Sequence, residues 1–175
     1  MNNKVQNLVF IGFMGTGKSS IGKLSASKLG FEFVDIDKEI EKRMNMTISD
    51  IFENFGEAHF RRIEHETVKE FSSRTGMVIS TGGGVVLNTE NINNLREKGI
   101  VILLKAKPEV IYRNVSKDKN RPLLSCENLM ARIVELIEAR KKYYENNDFE
   151  IDVSELSIEE VAGKAVDIFH ENCCK

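Results

Sequence analysis

The sequence predicts an α/β fold, a parallel sheet covered by helices, and two observations carry that prediction. Short apolar runs alternate along the chain with longer segments of helical period. The first run also leads straight into a glycine-rich turn and then into apolar residues at helical spacing, a strand–loop–helix unit. With 175 residues and 41% hydrophobic content, the chain can bury one substantial core and is too short to promise two. A single domain over residues 1–175 is expected, without internal repeat or low-complexity linker.

Taken in order, the candidate strands are residues 5–11, 31–35, 77–80, 100–104 and 149–153. After the glycine-rich turn, Ile21, Leu24 and Leu29 mark a first helix, and Ile40 with Met44 a second. Ile48, Ile51, Phe52 and Phe55 form a short helical stripe, opened by a Thr47/Asp50 capping box and closed by Gly56. Phe60, Ile63, Thr67 and Phe71 continue in another helix. This stretch between the second and third strands is longer than one crossover needs, so an inserted helical subdomain is expected at about residues 36–63. Near 127–146, Leu129, Ile133 and Leu136 form a stripe whose register continues through Arg140 and Tyr144. The C-terminal helix is the firmest: Ile158, Val161, Ala162, Ala165, Val166 and Phe169 share one face, and Ser157 with Glu160 makes a capping box. Between the last two crossover helices, SKDKNRPLLSC is polar and basic and reads as a mobile loop, at about residues 116–127.

A net charge of −2 and the absence of a long basic block leave no electrostatic footprint for nucleic acid. The N-terminal residues MNNKVQNLVFIG lack the pattern of a secretion signal, and no apolar run approaches the ~20 residues of a membrane span. A cytoplasmic protein without membrane partners is expected. Cys126, Cys173 and Cys174 fit neither a disulfide framework nor a zinc pattern and read as ordinary thiols. His65-Glu66 opens like a zinc-protease motif, but Lys69 stands where the second imidazole is needed.

The glycine-rich turn is GFMGTGKS, residues 12–19, which fits G-x-x-x-x-G-K-[ST] between a strand and a helix. Gly12, Gly15 and Gly17 let backbone N–H groups turn inward, where they and the helix N-terminus attract phosphate oxygens. Lys18 supplies a point charge for the β- and γ-phosphates, and Ser19 a hydroxyl for Mg²⁺. The candidate nucleotide-binding residues are Gly15, Thr16, Gly17, Lys18, Ser19 and Ser20. The alternative is a strand-to-helix turn with no ligand.

Further along, Asp35 and Asp37 project to the same side if the extended strand continues, at the strand end where α/β sheets bind ligands. One carboxylate there can hold Mg²⁺ through water while the other accepts a hydrogen bond from an attacking hydroxyl. For Asp37 the competing reading is a helix N-cap. Arg140, on an apolar register, must face a carboxylate or an anionic ligand. Arg61 has Glu64 at i+3 to steady its fork. Each arginine has an alternative as a solvated or salt-bridged side chain; together they would grip an anionic second substrate, with Phe52 and Phe60 as an apolar wall. Three glycines in a row, Gly82, Gly83 and Gly84, let backbone approach a ligand closely. Arg121, in the basic loop, is placed to fold over a triphosphate.

As an ordered set these residues resemble the shikimate kinase family: GFMGTGKS, Asp35-Ile36-Asp37, Ile51-Phe52 with Gly56-Glu57, Phe60-Arg61 with Glu64, the glycine triplet, Arg121-Pro122-Leu123-Leu124, and Arg140 with Tyr144. The resemblance implies a nucleoside-monophosphate-kinase-like three-layer fold. Its five-stranded parallel sheet has order 2-3-1-4-5, and a substrate-binding subdomain and a lid are inserted. It implies Mg²⁺-dependent transfer of the ATP γ-phosphoryl group to the 3-hydroxyl of shikimate by a monomer, on the route to chorismate and the aromatic amino acids. Lys18, Asp37 and Arg121 would then be catalytic, Arg121 from the lid. Ser19 and, through water, Asp35 would serve the metal. Asp37, Arg61, Arg140, Phe52, Phe60 and the three glycines would contact shikimate. Two positions depart from the family pattern. The arginine many members place seven residues before the lid arginine is Asn114 here, with Arg113 one position earlier, and Leu156 stands where a polar residue near adenine is common.

Gluconate kinases and nucleotide kinases share the phosphate loop and lid, but the paired aspartates, the glycine triplet and Phe60-Arg61 favour shikimate. A non-catalytic ATP-binding protein is the other class of answer. It would not need Lys18, Ser19, Asp35 and Asp37 together.

Overall fold

The structure, a computed structural model, describes residues 6–116 and 128–173. Its sheet has five strands, β1 (Asn7–Gly12), β2 (Glu32–Asp35), β3 (Met77–Ser80), β4 (Gly99–Lys105) and β5 (Phe149–Asp152). They lie in the order β2-β3-β1-β4-β5, and every pairing is parallel. The strand centres fall where the apolar runs predict; Val5 lies outside the described residues.

All six residues of β1 are buried, because this central strand is covered on both faces. Side chains alternate between the two layers. Leu8 and Phe10, with Val78, Ile100 and Ile102, pack on α1 (Lys18–Leu29) and α8 (Ile158–Asn172) through Ile21, Val161, Ala165 and Phe169. Val9 and Ile11, with Ile79, Val101 and Leu103, pack on the opposite helices. Those are α2 (Ile36–Met44), α3 (Ile48–Phe55), α4 (Glu57–Ser73), α5 (Thr89–Lys98), α6 (Pro108–Val115) and α7 (Leu129–Tyr144). Burying a Leu, Ile, Val or Phe side chain contributes about 1.5–3 kcal/mol each, so β1 alone is a large part of what holds the layers together.

Local signals behave as expected. The capping boxes at Thr47/Asp50 and Ser157/Glu160 are both formed, reciprocally. The three helices between β2 and β3 share one apolar cluster with the sheet, through Ile36, Ile40, Ile51, Phe60 and Phe71. α5 and α6 are short and carry little apolar stripe: Ile92 and Leu95 anchor the first, Ile111 and Val115 the second. Among the described residues no helix is long and apolar enough to cross a membrane.

Candidate active site

At the carboxyl end of β1 the chain turns through Gly12, Gly15 and Gly17, whose φ angles of 146°, 80° and 87° suit glycine alone. A Cβ on Gly15 would come within 2.7 Å of Val115 Cγ1, so side chains larger than hydrogen are excluded there. α1 starts at Lys18 with no side-chain cap and no acidic residue in its first turn. Its N-terminal N–H groups are thus open to an anion. Lys18 is nearly buried, and its Nζ donates to the carbonyls of Gly12 and Phe13 at 2.8 Å each. Thr16 is turned away: its hydroxyl donates to the Phe13 carbonyl at 2.9 Å, and it lines a cavity on the far side of the loop. Among the described nucleotide-binding candidates, Gly15, Gly17, Lys18, Ser19 and Ser20 line the phosphate cleft and Thr16 does not.

The expectation that extended backbone carries both aspartates is not met. β2 stops at Asp35, which is itself the N-cap of α2, its Oδ1 accepting from the Lys38 N–H at 3.3 Å. The N-cap reading therefore belongs to Asp35, and Asp37 sits in the first turn of the helix. Both still reach one place. Ser19 Oγ donates to Asp35 Oδ2 at 2.5 Å. Asp37 faces the same cleft, with its Oδ1 buried and without a hydrogen-bond partner. Burial first, then the charges of Glu64 and Asp35, push its carboxyl up to about 7, although Lys18 and Arg61 pull the other way.

The glycine triplet gains a physical reason beyond backbone approach. A Cβ on Gly82 would stand 2.5 Å from Asp37 Oδ1, and one on Gly84 would collide with the Arg61 guanidinium. The loop is bare where the Asp37 and Arg61 side chains pass. Arg61 is both salt-bridged and in the cleft. Its Nη1 donates to Glu64 Oε2 at 2.7 Å and its Nη2 to Glu57 Oε1 at 3.0 Å, above the Phe60 ring. Burial opposes its charge, but the Glu64 and Glu57 carboxylates together more than offset it. Glu64 is 1% exposed and leaves Oε1 unpartnered; burial raises its carboxyl, and Arg61 restrains the rise. Arg140 points inward as its register requires, donating from Nη1 to the Gly83 carbonyl at 3.3 Å. Among the described residues no carboxylate lies within ion-pair distance of Arg140, but its charge acts on the buried Glu64 carboxyl and opposes the rise that burial causes there.

These groups line two adjoining cavities. One, of about 630 Å³, is bounded by Gly15, Gly17, Lys18, Ser19, Ser20, Arg113 and Asn114. The other, of about 710 Å³, is bounded by Phe52, Phe60, Arg61, Glu64, Gly84 and Arg140. Met14, Ser19, Asp35, Asp37, Gly82 and Gly83 belong to both. Arg113 and Asn114, the two positions at which the sequence departs from the family's arginine, both line the first cavity, and Met14, Thr81 and Ile158 line it without having been singled out, since none belongs to a type that announces itself. Asn114 also donates to the Gly15 carbonyl at 2.7 Å, tying α6 to the phosphate loop. Arg121, Cys126 and Cys174 lie outside the described residues, and Cys173, at the end of α8, donates to the His170 carbonyl.

A phosphate-binding loop on the central strand of a parallel sheet in this order, beside a second cavity that holds two arginines as well as carboxylates, defines a P-loop phosphotransferase of the nucleoside-monophosphate-kinase-like class. A family model described as Shikimate kinase matches residues 14–169. The chain belongs to that family. It is 51% identical over 162 residues to the shikimate kinase of Caldanaerobacter subterraneus subsp. tengcongensis, covering 93% of this chain and 95% of that one. The solved shikimate kinase of Acinetobacter baumannii, in complex with shikimate, superposes with a TM-score of 0.92 at 34% identity, over 99% of this chain and 97% of that one. A gluconokinase from Sinorhizobium meliloti, at a TM-score of 0.54 and 12% identity over 98% of this chain and 94% of that one, shares the fold alone.

Proposed function

We propose that the enzyme transfers the γ-phosphoryl group of ATP to the 3-hydroxyl of shikimate, giving shikimate 3-phosphate and ADP, as a cytoplasmic monomer serving aromatic amino acid biosynthesis. The observation that carries the reading is the shared border of the two cavities. Ser19, Asp35 and Asp37 stand where a triphosphate on one side would meet a hydroxyl on the other.

In this reading the open N–H groups of the loop and of α1 cradle the phosphates, and Lys18 leaves the Gly12 and Phe13 carbonyls for the transferring group. Mg²⁺ keeps several waters and takes few protein oxygens when phosphates share it, which suits the adjacent oxygens of Ser19 and Asp35. Ser19 would hold the ion directly and Asp35 through water; bound there, it would neutralise charge on the β- and γ-phosphates. Asp37 accepts a hydrogen bond from the attacking hydroxyl, and its raised carboxyl is matched to taking that proton near neutral pH. A loose phosphoryl-transfer transition state asks mainly for positioning, so Asp37 also orients the hydroxyl for in-line attack. Arg61 and Arg140 grip the shikimate carboxylate, against the wall of Phe52 and Phe60. Residues at about 36–63 act as the substrate-binding subdomain and those at about 116–127 as a lid, which brings Arg121 to the triphosphate.

The test is Mg²⁺-dependent ADP release with shikimate, gluconate or AMP as acceptor. Release with shikimate alone is expected. Equal release with gluconate or AMP and none with shikimate would overturn the assignment.

A further inference from the structure

Tyr144 enters neither the chemistry above nor the solvent, yet it is tied to the acceptor cavity. It is the last residue of α7, 7% exposed, and its hydroxyl donates to the Gly83 carbonyl at 2.6 Å. Arg140, one helical turn earlier, donates to the same oxygen at 3.3 Å. Both lone pairs of that carbonyl are therefore directed towards α7. The peptide between Gly83 and Gly84 is trans and planar, so its N–H points opposite to its C=O, away from α7. No described residue accepts the Gly84 N–H, and Gly83 and Gly84 both line the acceptor cavity. The Val85 N–H donates to the Gly82 carbonyl at 3.3 Å and closes a turn around this peptide, but with glycine on both sides that bond alone is compatible with either orientation of the peptide plane.

We propose that Tyr144 is a positioning residue for the acceptor site: its hydroxyl fixes the Gly83 carbonyl, so that the Gly84 N–H is presented to an oxygen of the bound acceptor and Arg140 is held at its working depth. The inference rests on the shikimate reading and deepens it. A phenolic hydroxyl on a backbone carbonyl here acts as a latch on a loop that lacks side chains of its own. The latch also explains why α7 ends in a buried tyrosine that borders another cavity beside Phe13, Ile111 and Ile137 while its hydroxyl reaches the loop after β3.

The experiment compares Tyr144→Phe with wild type, and uses Tyr143→Phe, altered on the exposed neighbour, as a control. Phenylalanine keeps the ring volume and removes only the hydroxyl. The KM for shikimate is expected to rise about five- to tenfold, the value of one lost hydrogen bond, with kcat and the KM for ATP within about twofold. In ¹H–¹⁵N spectra the Gly84 amide of wild type is expected to shift on adding shikimate, and that shift should be lost in Tyr144→Phe. Thermal unfolding of each variant separates this from simple destabilisation. A Tyr144→Phe protein that melts earlier but keeps the wild-type KM for shikimate, or loses kcat and both KM values in equal measure, would overturn the proposal. Wild-type protein without shikimate-dependent turnover would instead refute the functional reading, and this inference with it.

Discussion

Replacing Asp37 by asparagine exposes what the acceptor cavity costs the fold. In the native protein Asp37 is buried with one oxygen unpartnered, and its carboxyl is raised from 3.8 to about 7. Between those two values the folded chain holds a proton that the unfolded chain has lost. The stability owed to this side chain therefore falls as pH rises through that window, is undiminished below it, and stays reduced above it. The shift of about 3 units at 1.36 kcal/mol per unit sets a ceiling of about 4 kcal/mol. Asparagine carries no charge at any pH and escapes the penalty. Asp37→Asn should thus unfold later than wild type at about pH 8, by up to roughly 8–16 °C at ~2–4 °C per kcal/mol. The gap should close towards about pH 4. The same variant should lose at least ~100-fold in kcat. Circular-dichroism melts at several pH values, beside an ADP-release assay, read both quantities. A variant less stable than wild type at about pH 8, or a difference in melting temperature that ignores pH, would refute the reasoning.

Wild-type turnover with shikimate should rise with pH through about 7, since only ionised Asp37 can take the hydroxyl proton; a flat profile across that range would confine Asp37 to positioning. Gly82→Ala should fold but lose ~100-fold or more in kcat, because its Cβ falls 2.5 Å from Asp37 Oδ1; near-normal kinetics would show that Asp37 can move aside. Arg140→Ala should weaken shikimate binding by about 100-fold and ATP binding by less than about twofold, as calorimetry would show. Asn114→Ala frees the Gly15 carbonyl and should raise the KM for ATP about fivefold, with the KM for shikimate unchanged.

The strands, the phosphate loop and the inward face of α7 were legible in sequence because each rests on a local rule. Apolar runs mark β1 and β4, glycines with Lys18 and Ser19 mark the loop, and i, i+4 spacing carries Leu129, Ile133, Leu136, Arg140 and Tyr144 to one side. α5 was not legible: TENINNLREK has only Ile92 and Leu95 to bury, and it is held in place by packing against other elements. The Asp35–Asp37 geometry was misread because helix capping by Asp35 ends the strand sooner than its apolar pattern suggests. The motif places Thr16 in the loop but does not announce that its hydroxyl donates to the Phe13 carbonyl. The steric partnership of Gly82 with Asp37 and of Gly84 with Arg61 joins residues far apart in the chain, and no spacing rule announces it.

The neighbouring positions of β1 and β3 have a metrical consequence. Phe10 pairs with Ser80, and Thr81 adds two hydrogen bonds to the Phe10 carbonyl, from its N–H at 3.2 Å and its hydroxyl at 3.0 Å. The donor loop and the glycine triplet therefore hang from adjacent rungs, about 4.8 Å apart across the sheet. That spacing works as a fixed gauge between the phosphate giver and the hydroxyl receiver, and no helix motion can stretch it without tearing the ladder. A change of acceptor in a descendant enzyme would thus be written in α2, α3 and α4, which furnish the wall, while the gauge passes on unaltered.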